Sequence, residues 1–368
     1  MNNIRKKDII HTELQVSRKE FAKKFDRIVY FGDLHGTPYF KPFIEKYDNG
    51  RTMFVSMGDL FDRGWCSYEI YKIIRNLHGE GKFQMALGNH DLFFLLTHGL
   101  YIGGENIISR IADKTLTEDQ RWELWDIYNE QFKINSGDTT INSFDAWFWI
   151  KNTWKKTSEV VDFFFTNFNL YYEDPIGNLV IHGGIPILPD GSVVGCTVGD
   201  NFVSGLDYVK HLSKGFKNVE FDTLMLLTGR DSSMGEKMYN DMKIRGLIHD
   251  PELVSKTPYE FLRYYVPTWS DNWVYEKTFW NTDNQITPLQ SLREELDRIQ
   301  KERLIVGHWN VDTWDFSNRS THHASLYYNT ILRLDRSWLR VEWEYGNFGF
   351  AIIDVETNWI EKIGDAIE

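Results

Sequence analysis

At 368 residues, with 42% hydrophobic and 26% charged residues, the chain is long enough to bury a large core as one domain or two. A formal net charge of −12 excludes a broad nucleic-acid surface, which needs a field of Lys and Arg to displace counterions. Two cysteines, Cys66 and Cys196, without a CxxC spacing exclude a disulfide framework and a zinc ribbon, while aromatics at 15%, including 14 Trp, point to an aromatic core or cleft.

Residues 1–21 scatter charges where a signal peptide would be apolar, and no later run reaches transmembrane length. A soluble, cytoplasmic protein with no membrane partner is expected. Residues 27–31 form a short, β-rich apolar run that stops at Gly32-Asp33. The pattern returns at 52–57 before Gly58-Asp59 and at 83–87 before Gly88-Asn89, with apolar residues at helical spacing over 67–77. This βαβαβ beginning places three glycine-containing loops along one edge of a sheet. From about 97 to 173 the texture is polar-aromatic and helical, with Thr117 as a capping residue ahead of 121–132. Strand character resumes at 179–181 before His182-Gly183-Gly184. A second helical or irregular stretch over 201–302, with a charged run at 291–303, ends in a strand at 304–306 before Gly307-His308. Alternating runs at 338–343 and 348–354 read as closing strands of a second sheet. Without a repeat or a low-complexity linker, a single domain is expected, with a core over about 25–356 and helical insertions over about 97–176 and 201–302.

Five loops thus follow five strand-like runs, and each carries side chains that ligate metals. They are Gly32-Asp33-Leu34-His35-Gly36, the run Gly58-Asp59-Leu60-Phe61-Asp62-Arg63-Gly64, Gly88-Asn89-His90-Asp91, His182-Gly183-Gly184 and Gly307-His308. A DxH triplet alone is commonly a solvated pair or a hydrogen-bonded turn. The ordered set, each member beside a glycine that lets backbones approach closely, points to a metal site at the strand ends. Its mixed oxygen and nitrogen donors suit Mn²⁺, Fe or Zn²⁺ better than Ca²⁺. His11, His78, His98, His211 and His249 stand alone and read as surface or packing residues, and in a strand the adjacent His322 and His323 would face opposite ways.

On these loops, and on Asp62-Arg63-Gly64, the chain resembles the calcineurin-like metallophosphoesterase superfamily in its phosphoprotein-phosphatase-type branch. That branch includes Ser/Thr protein phosphatases, bacteriophage protein phosphatases and dinucleoside tetraphosphate hydrolases. The resemblance implies an α/β fold, an αββα sandwich of two mixed sheets, with two divalent metal ions at the strand ends, Mn²⁺ first and Fe or Zn²⁺ as alternatives. It puts Asp59 in the bridging place, Asp33 and His35 on one metal, and Asn89, His182 and His308 on the other. His90 is then free to protonate the leaving-group oxygen, Asp62 fixes its tautomer, and Arg63 offers a planar fork matched to two phosphate oxygens. Arg63, Asn89 and His90 form the expected substrate-binding set, and Asp91 orients its neighbours. The implied reaction is direct attack of a metal-bridging hydroxide on phosphorus, with no covalent enzyme intermediate.

Two departures bear on the substrate. Eukaryotic Ser/Thr phosphatases of this branch carry Arg before Gly-Asn-His and Glu after it, where this chain has Leu87 and Asp91. Their second phosphate-binding arginine has no single counterpart among Arg230, Arg245, Arg263 and Arg303, which favours a bacterial or phage type. The expected partner is a phosphorylated protein or a small phosphate ester. A nucleotide-directed hydrolase acting on a dinucleoside polyphosphate or phosphodiester is the alternative, and an inactive binding module is the third reading. The aromatic run 144–168 is insertion core on the first reading and a base-stacking platform on the second.

Overall fold

The computed structural model describes residues 16–102, 105–144, 153–228, 232–248, 265–270, 288–308, 324–327, 331–334 and 348–366. Helix α1 (Arg18–Lys24) precedes β1 (Arg27–Phe31), and α2 (Phe40–Tyr47), β2 (Thr52–Ser56), α3 (Ser67–Gly79) and β3 (Phe83–Met85) complete a parallel β1-β2-β3 run. Helix α4 (Asn89–Thr97) continues as a π-helical turn over His98–Ile102. Helices α5 (Ile107–Thr115), α6 (Glu118–Ile134), α7 (Gly137–Phe144) and α8 (Thr153–Asn167) then fill the first insertion. Thr117 caps α6 through a reciprocal box: its hydroxyl accepts the Gln120 amide at 3.2 Å, and the Gln120 side chain accepts the Thr117 amide at 3.0 Å.

The second sheet opens with β4 (Tyr171–Glu173) and β5 (Asn178–Ile181), followed by a hairpin of β6 (Gly195–Val198) and β7 (Asn201–Ser204). Helices α9 (Gly205–Lys217), α10 (Phe221–Thr228), α11 (Ser232–Ile244) and α12 (Pro288–Arg298) come before β8 (Arg303–Val306), β9 (Ala324–Tyr327) and β10 (Ile331–Leu334). Strands β11 (Gly349–Asp354) and β12 (Ile360–Asp365) return to the first sheet. The sheet orders are β12-β11-β1-β2-β3 and β4-β5-β8-β10-β9, and both mix parallel and antiparallel pairs.

Side-chain parity produces the layering, because successive strand residues face opposite sides of a sheet. Ile28, Tyr30, Met53, Val55, Ala351 and Ile353 of the first sheet share one buried cluster with Val180 and Ile305 of the second, so the two sheets pack face to face. The alternate residues Val29, Phe31, Phe54, Phe350 and Ile352 join the helices on the outer side of the first sheet. Leu179, Ile181, Leu304 and Val306 pack outward against Leu206 and Val209 of α9 and Leu292 and Leu296 of α12. The result is the expected αββα sandwich of the α/β class. Because β1 to β3 all run the same way, and β5 runs parallel to β8, five strand ends and their loops share one rim.

Residues 348–354 differ from expectation. Residues 349–354 of this run form β11, which runs antiparallel to β1 in the first sheet and not in the second, with Ile353 opposite Ile28 and Ala351 opposite Tyr30. Strand β1 is buried on both faces and needs a partner on each edge, and Phe350 fits the outer aromatic layer, 5.3 Å from Phe43 and 4.9 Å from Tyr47 between ring centroids. The run at 338–343 lies outside the described residues. The β6-β7 hairpin lies where a helical or irregular stretch is expected to begin; it turns at Gly199-Asp200, with Gly199 at φ 59°. No described helix is long and apolar enough to cross a membrane.

Candidate metal centre

Strain marks the rim. Five of the nine non-glycine residues with positive φ among the described residues sit in its loops: His35 (43°), Asp59 (53°), Asp62 (71°), Arg63 (65°) and His308 (71°). The buried Asp91 carboxylate holds two of these loops, accepting the amides of Asp59 at 2.9 Å, Leu60 at 3.0 Å and Gly88 at 2.9 Å. Its position in the first turn of α4 matches this acceptor role. Gly88 is required because a Cβ there would lie 2.2 Å from Asp59 Oδ1. Gly64 is required because a Cβ would meet the Gly36 carbonyl oxygen at 2.4 Å, so the Asp33 and Asp62 loops touch backbone to backbone.

The histidine hydrogen bonds orient lone pairs inward. His182 Nδ1 lies 2.8 Å from the Met57 carbonyl oxygen, His35 Nδ1 3.1 Å from that of Phe61, and His90 Nδ1 2.9 Å from Asp62 Oδ2. Carbonyl and carboxylate oxygens only accept, so each Nδ1 carries the proton and each neutral ring keeps a lone pair on Nε2. Those Nε2 atoms converge on Asp59. Its Oδ1 accepts the His90 amide at 2.9 Å, while Oδ2 lies 3.2 Å from His182 Nε2 and 3.9 Å from both His35 Nε2 and His90 Nε2. His182 Nε2 also lies 3.1 Å from Asn89 Oδ1 and 3.2 Å from His308 Nδ1. Such a crowd of acceptors in a buried space is the donor set that a cation satisfies.

The ionisations of these groups depend on one another. Burial tends to raise the Asp59 carboxyl, but His182 and His90 override it and hold the group well below the usual carboxylate range. Burial would lower His182, yet Asp59 carries it up. His35 falls well below its ordinary value through burial and the Arg63 charge, and His308 through burial and His182. Asp91 is pushed up to about 7 by burial and by Asp59.

Among the described residues, two groups of side chains bring ligand atoms within 4.8 Å of one another: His35, Asp59 and His90, and Asp59, His182 and His308. Asp59 belongs to both. Asp33 is in neither group; its carboxylate accepts the His308 amide at 3.1 Å and lies 3.9 Å from His182 Nδ1. Arg63 spans the gap, with Nη1 3.3 Å from His35 Nε2 and Nη2 3.2 Å from His90 Nε2.

The model of the calcineurin-like phosphoesterase family matches residues 26–212, half of the chain. The chain belongs to that family. The chain is similar over 91% of its length to 77% of a cold-active protein-tyrosine phosphatase of a psychrophilic Shewanella species, at 13% identity and TM-score 0.41. It covers 74% of a protein serine/threonine phosphatase from Saccharomyces cerevisiae with 90% of its own length, at 13% identity and TM-score 0.40. A diadenosine tetraphosphatase-like protein matches at 11% identity and TM-score 0.34, over 92% of this chain and 94% of that one. No curated protein matches. The family uses divalent metals, and the His/Asp cluster is a candidate site for them.

Three parts of the rim carry no mark in the sequence pattern. Thr140, on α7, bonds the buried Asp62 across 78 positions. Residues 265–270 dock on the His182 loop, where the Gly183 amide donates to the Pro267 carbonyl at 2.8 Å and the Trp269 ring stands 5.3 Å from that of His308. Trp65, directly after Gly64, is 61% exposed. Contacts of this range leave no periodic trace, although an aromatic beside Asp-Arg-Gly was a usable hint for Trp65. Among the candidate second arginines, Arg303 lies between the sheets with Asn178 and Asn358, at the far end of β8 from the rim, and Arg245 pairs with Asp241 at the surface. Arg230 and Arg263 lie outside the described residues, as do His11, His249, His322 and His323. His78 packs on Phe163 and Phe168, and His98 on Phe94 and Phe132.

Proposed function

We propose that this chain is a two-metal phosphatase that hydrolyses a phosphate monoester, on phosphoprotein Ser/Thr or a small molecule, with His90 as general acid. The observation that carries the reading is the buried Asp62-His90 pair, 2.9 Å apart, facing the Arg63 fork at the edge of the His/Asp cluster. Asp33, His35, Asp59, Asn89, His182 and His308 would hold the two ions, Mn²⁺ by preference and Fe or Zn²⁺ as alternatives. When bound, such cations lower the pKa of a water and clamp phosphate oxygens.

His90 Nδ1 is committed to Asp62, which leaves Nε2 as the atom that carries a proton to the leaving oxygen. Protonation there sets donor against donor with Arg63 Nη2 and releases the guanidinium toward phosphate oxygens, which it binds through two parallel N–H groups. Asn89 and His90 complete the substrate contacts, and Asp91 holds the loops. We read the chain as one domain with helical insertions over about 97–176 and 201–302, of bacterial or phage type and cytoplasmic, the last resting on its two uncrosslinked cysteines.

One observation favours a second reading. Trp65 exposes its indole two residues from Arg63, where it can stack on a nucleobase, as a nucleotide-directed hydrolase requires. The test strips the protein of metal, restores Mn²⁺, and compares a phosphoserine peptide, a phosphodiester and diadenosine tetraphosphate. Preference for the peptide supports the monoesterase, and preference for either other substrate moves the assignment to nucleotides. Inactivity on all three with two ions bound favours the binding module.

A further inference from the structure

We propose that Thr140, supplied by the first insertion, is a positioning residue for the general acid, holding Asp62 so that Asp62 holds His90. The inference rests on the role assigned to His90 above.

Asp62 is fully buried, so both carboxylate oxygens and its amide need partners. One oxygen, Oδ2, takes the His90 Nδ1 proton at 2.9 Å. Thr140 supplies the rest: its hydroxyl donates to Asp62 Oδ1 at 3.3 Å and accepts the Asp62 amide at 2.7 Å. A single hydroxyl therefore fixes the backbone and the carboxylate of one residue, and that residue sits in the left-handed region at φ 71°, where a non-glycine backbone is held only by its surroundings.

The hydroxyl is itself placed. Thr140 is fully buried on α7, with Ser67 Oγ 3.4 Å from its oxygen. One turn on, Ser143 Oγ accepts the Tyr68 amide at 3.1 Å and donates to the Thr140 carbonyl at 2.6 Å. Two hydroxyls of α7 thus stitch the insertion to the Asp62 loop and to the start of α3. A stitch that served stability alone could end on any backbone group of that loop. This one ends on the Asp62 amide and also on the carboxylate that sets the tautomer and direction of His90.

The experiment uses the Mn²⁺-loaded full chain and two monoesters: p-nitrophenyl phosphate, whose leaving group departs without a proton, and a phosphoserine peptide, whose alkoxide needs one. Thr140→Val is expected to lower kcat on the peptide by about 10-fold, the low end of the loss on removing a partner bonded directly to a functional imidazole, because Thr140 acts one hydrogen bond further out. It should leave kcat on the aryl ester within about twofold and metal content unchanged, because a departing nitrophenolate needs little acid assistance. Thr140→Ser should restore the peptide rate, and Thr140→Val should add nothing further on a His90→Asn background. If Thr140→Val fails to fold, Thr140→Ala reads the same contrast without setting a methyl against the carboxylate. Equal losses on both esters, or an unchanged peptide rate beside a selectively impaired His90→Asn, overturn the proposal and leave the general-acid reading intact. A His90→Asn protein without selective loss overturns that reading, and this proposal with it.

Discussion

Asp59 Oδ2 has three imidazole nitrogens within 3.9 Å, and its Oδ1 is spent on the His90 amide. Removing one of its oxygens removes the atom common to both candidate groups. Asp59→Asn should therefore lose metal, and elemental analysis that still finds two equivalents would sink the bridging role. The neighbouring His90 offers a different readout. His90→Asn should keep its metal yet turn over poor leaving groups slower by roughly two to four orders of magnitude, the range of general acid catalysis. An unchanged rate on a phosphoserine peptide removes His90 from the chemistry.

Helix α4 illustrates how an element serves the site at one end and the core at the other. Its first turn presents Asn89, His90 and Asp91 to the rim, while Phe93 and Phe94 pack into the aromatic layer shared with Phe61, Phe132 and Phe144. Beyond its last turn His98 is wedged between Phe94 and Phe132, with Nε2 buried and unpartnered, and burial lowers its imidazole from 6.5 to about 4. As pH falls below 6.5 the unfolded chain takes up this proton first, so stability is intact above 6.5 and is lost on the way down to about 4, by about 3 kcal/mol at most. His98→Phe should flatten that acid limb, measured by urea denaturation at pH 7 and pH 4.5. A variant that loses stability as steeply as the parent places the acid sensitivity elsewhere.

At the scale of the whole molecule, the candidate ligands come from both sheets. Asp33, His35, Asp59 and Asn89 follow strands of the first sheet, whereas His182 and His308 follow β5 and β8 of the second. Protein contacts already cross there, from His182 Nδ1 to the Met57 carbonyl and from the His308 amide to Asp33. Metal ions would tie the sheets at this rim, as the Tyr30-Asp174 hydrogen bond ties them elsewhere. Chelation should lower the melting temperature by several degrees and added Mn²⁺ should restore it, since a ligand at a hundredfold excess over its Kd stabilises by about 2.7 kcal/mol. A melting temperature indifferent to chelator would argue against ions at the sheet junction. Sequence alone determined the strands that begin at 27, 52 and 83, the helix from Ser67, the Thr117 cap and the glycine-bearing loops of the candidate site, because apolar period, capping chemistry and glycine placement are local, whereas the runs expected to reach 57 and 87 end as strands at 56 and 85. The sheet that receives β11, the Thr140 bond to Asp62, the docking of 265–270 on the His182 loop and the placement of Asp33 outside both ligand groups were decided only in the fold. Each joins residues distant in the chain, where no spacing rule links them and shape and hydrogen-bond satisfaction select the partner.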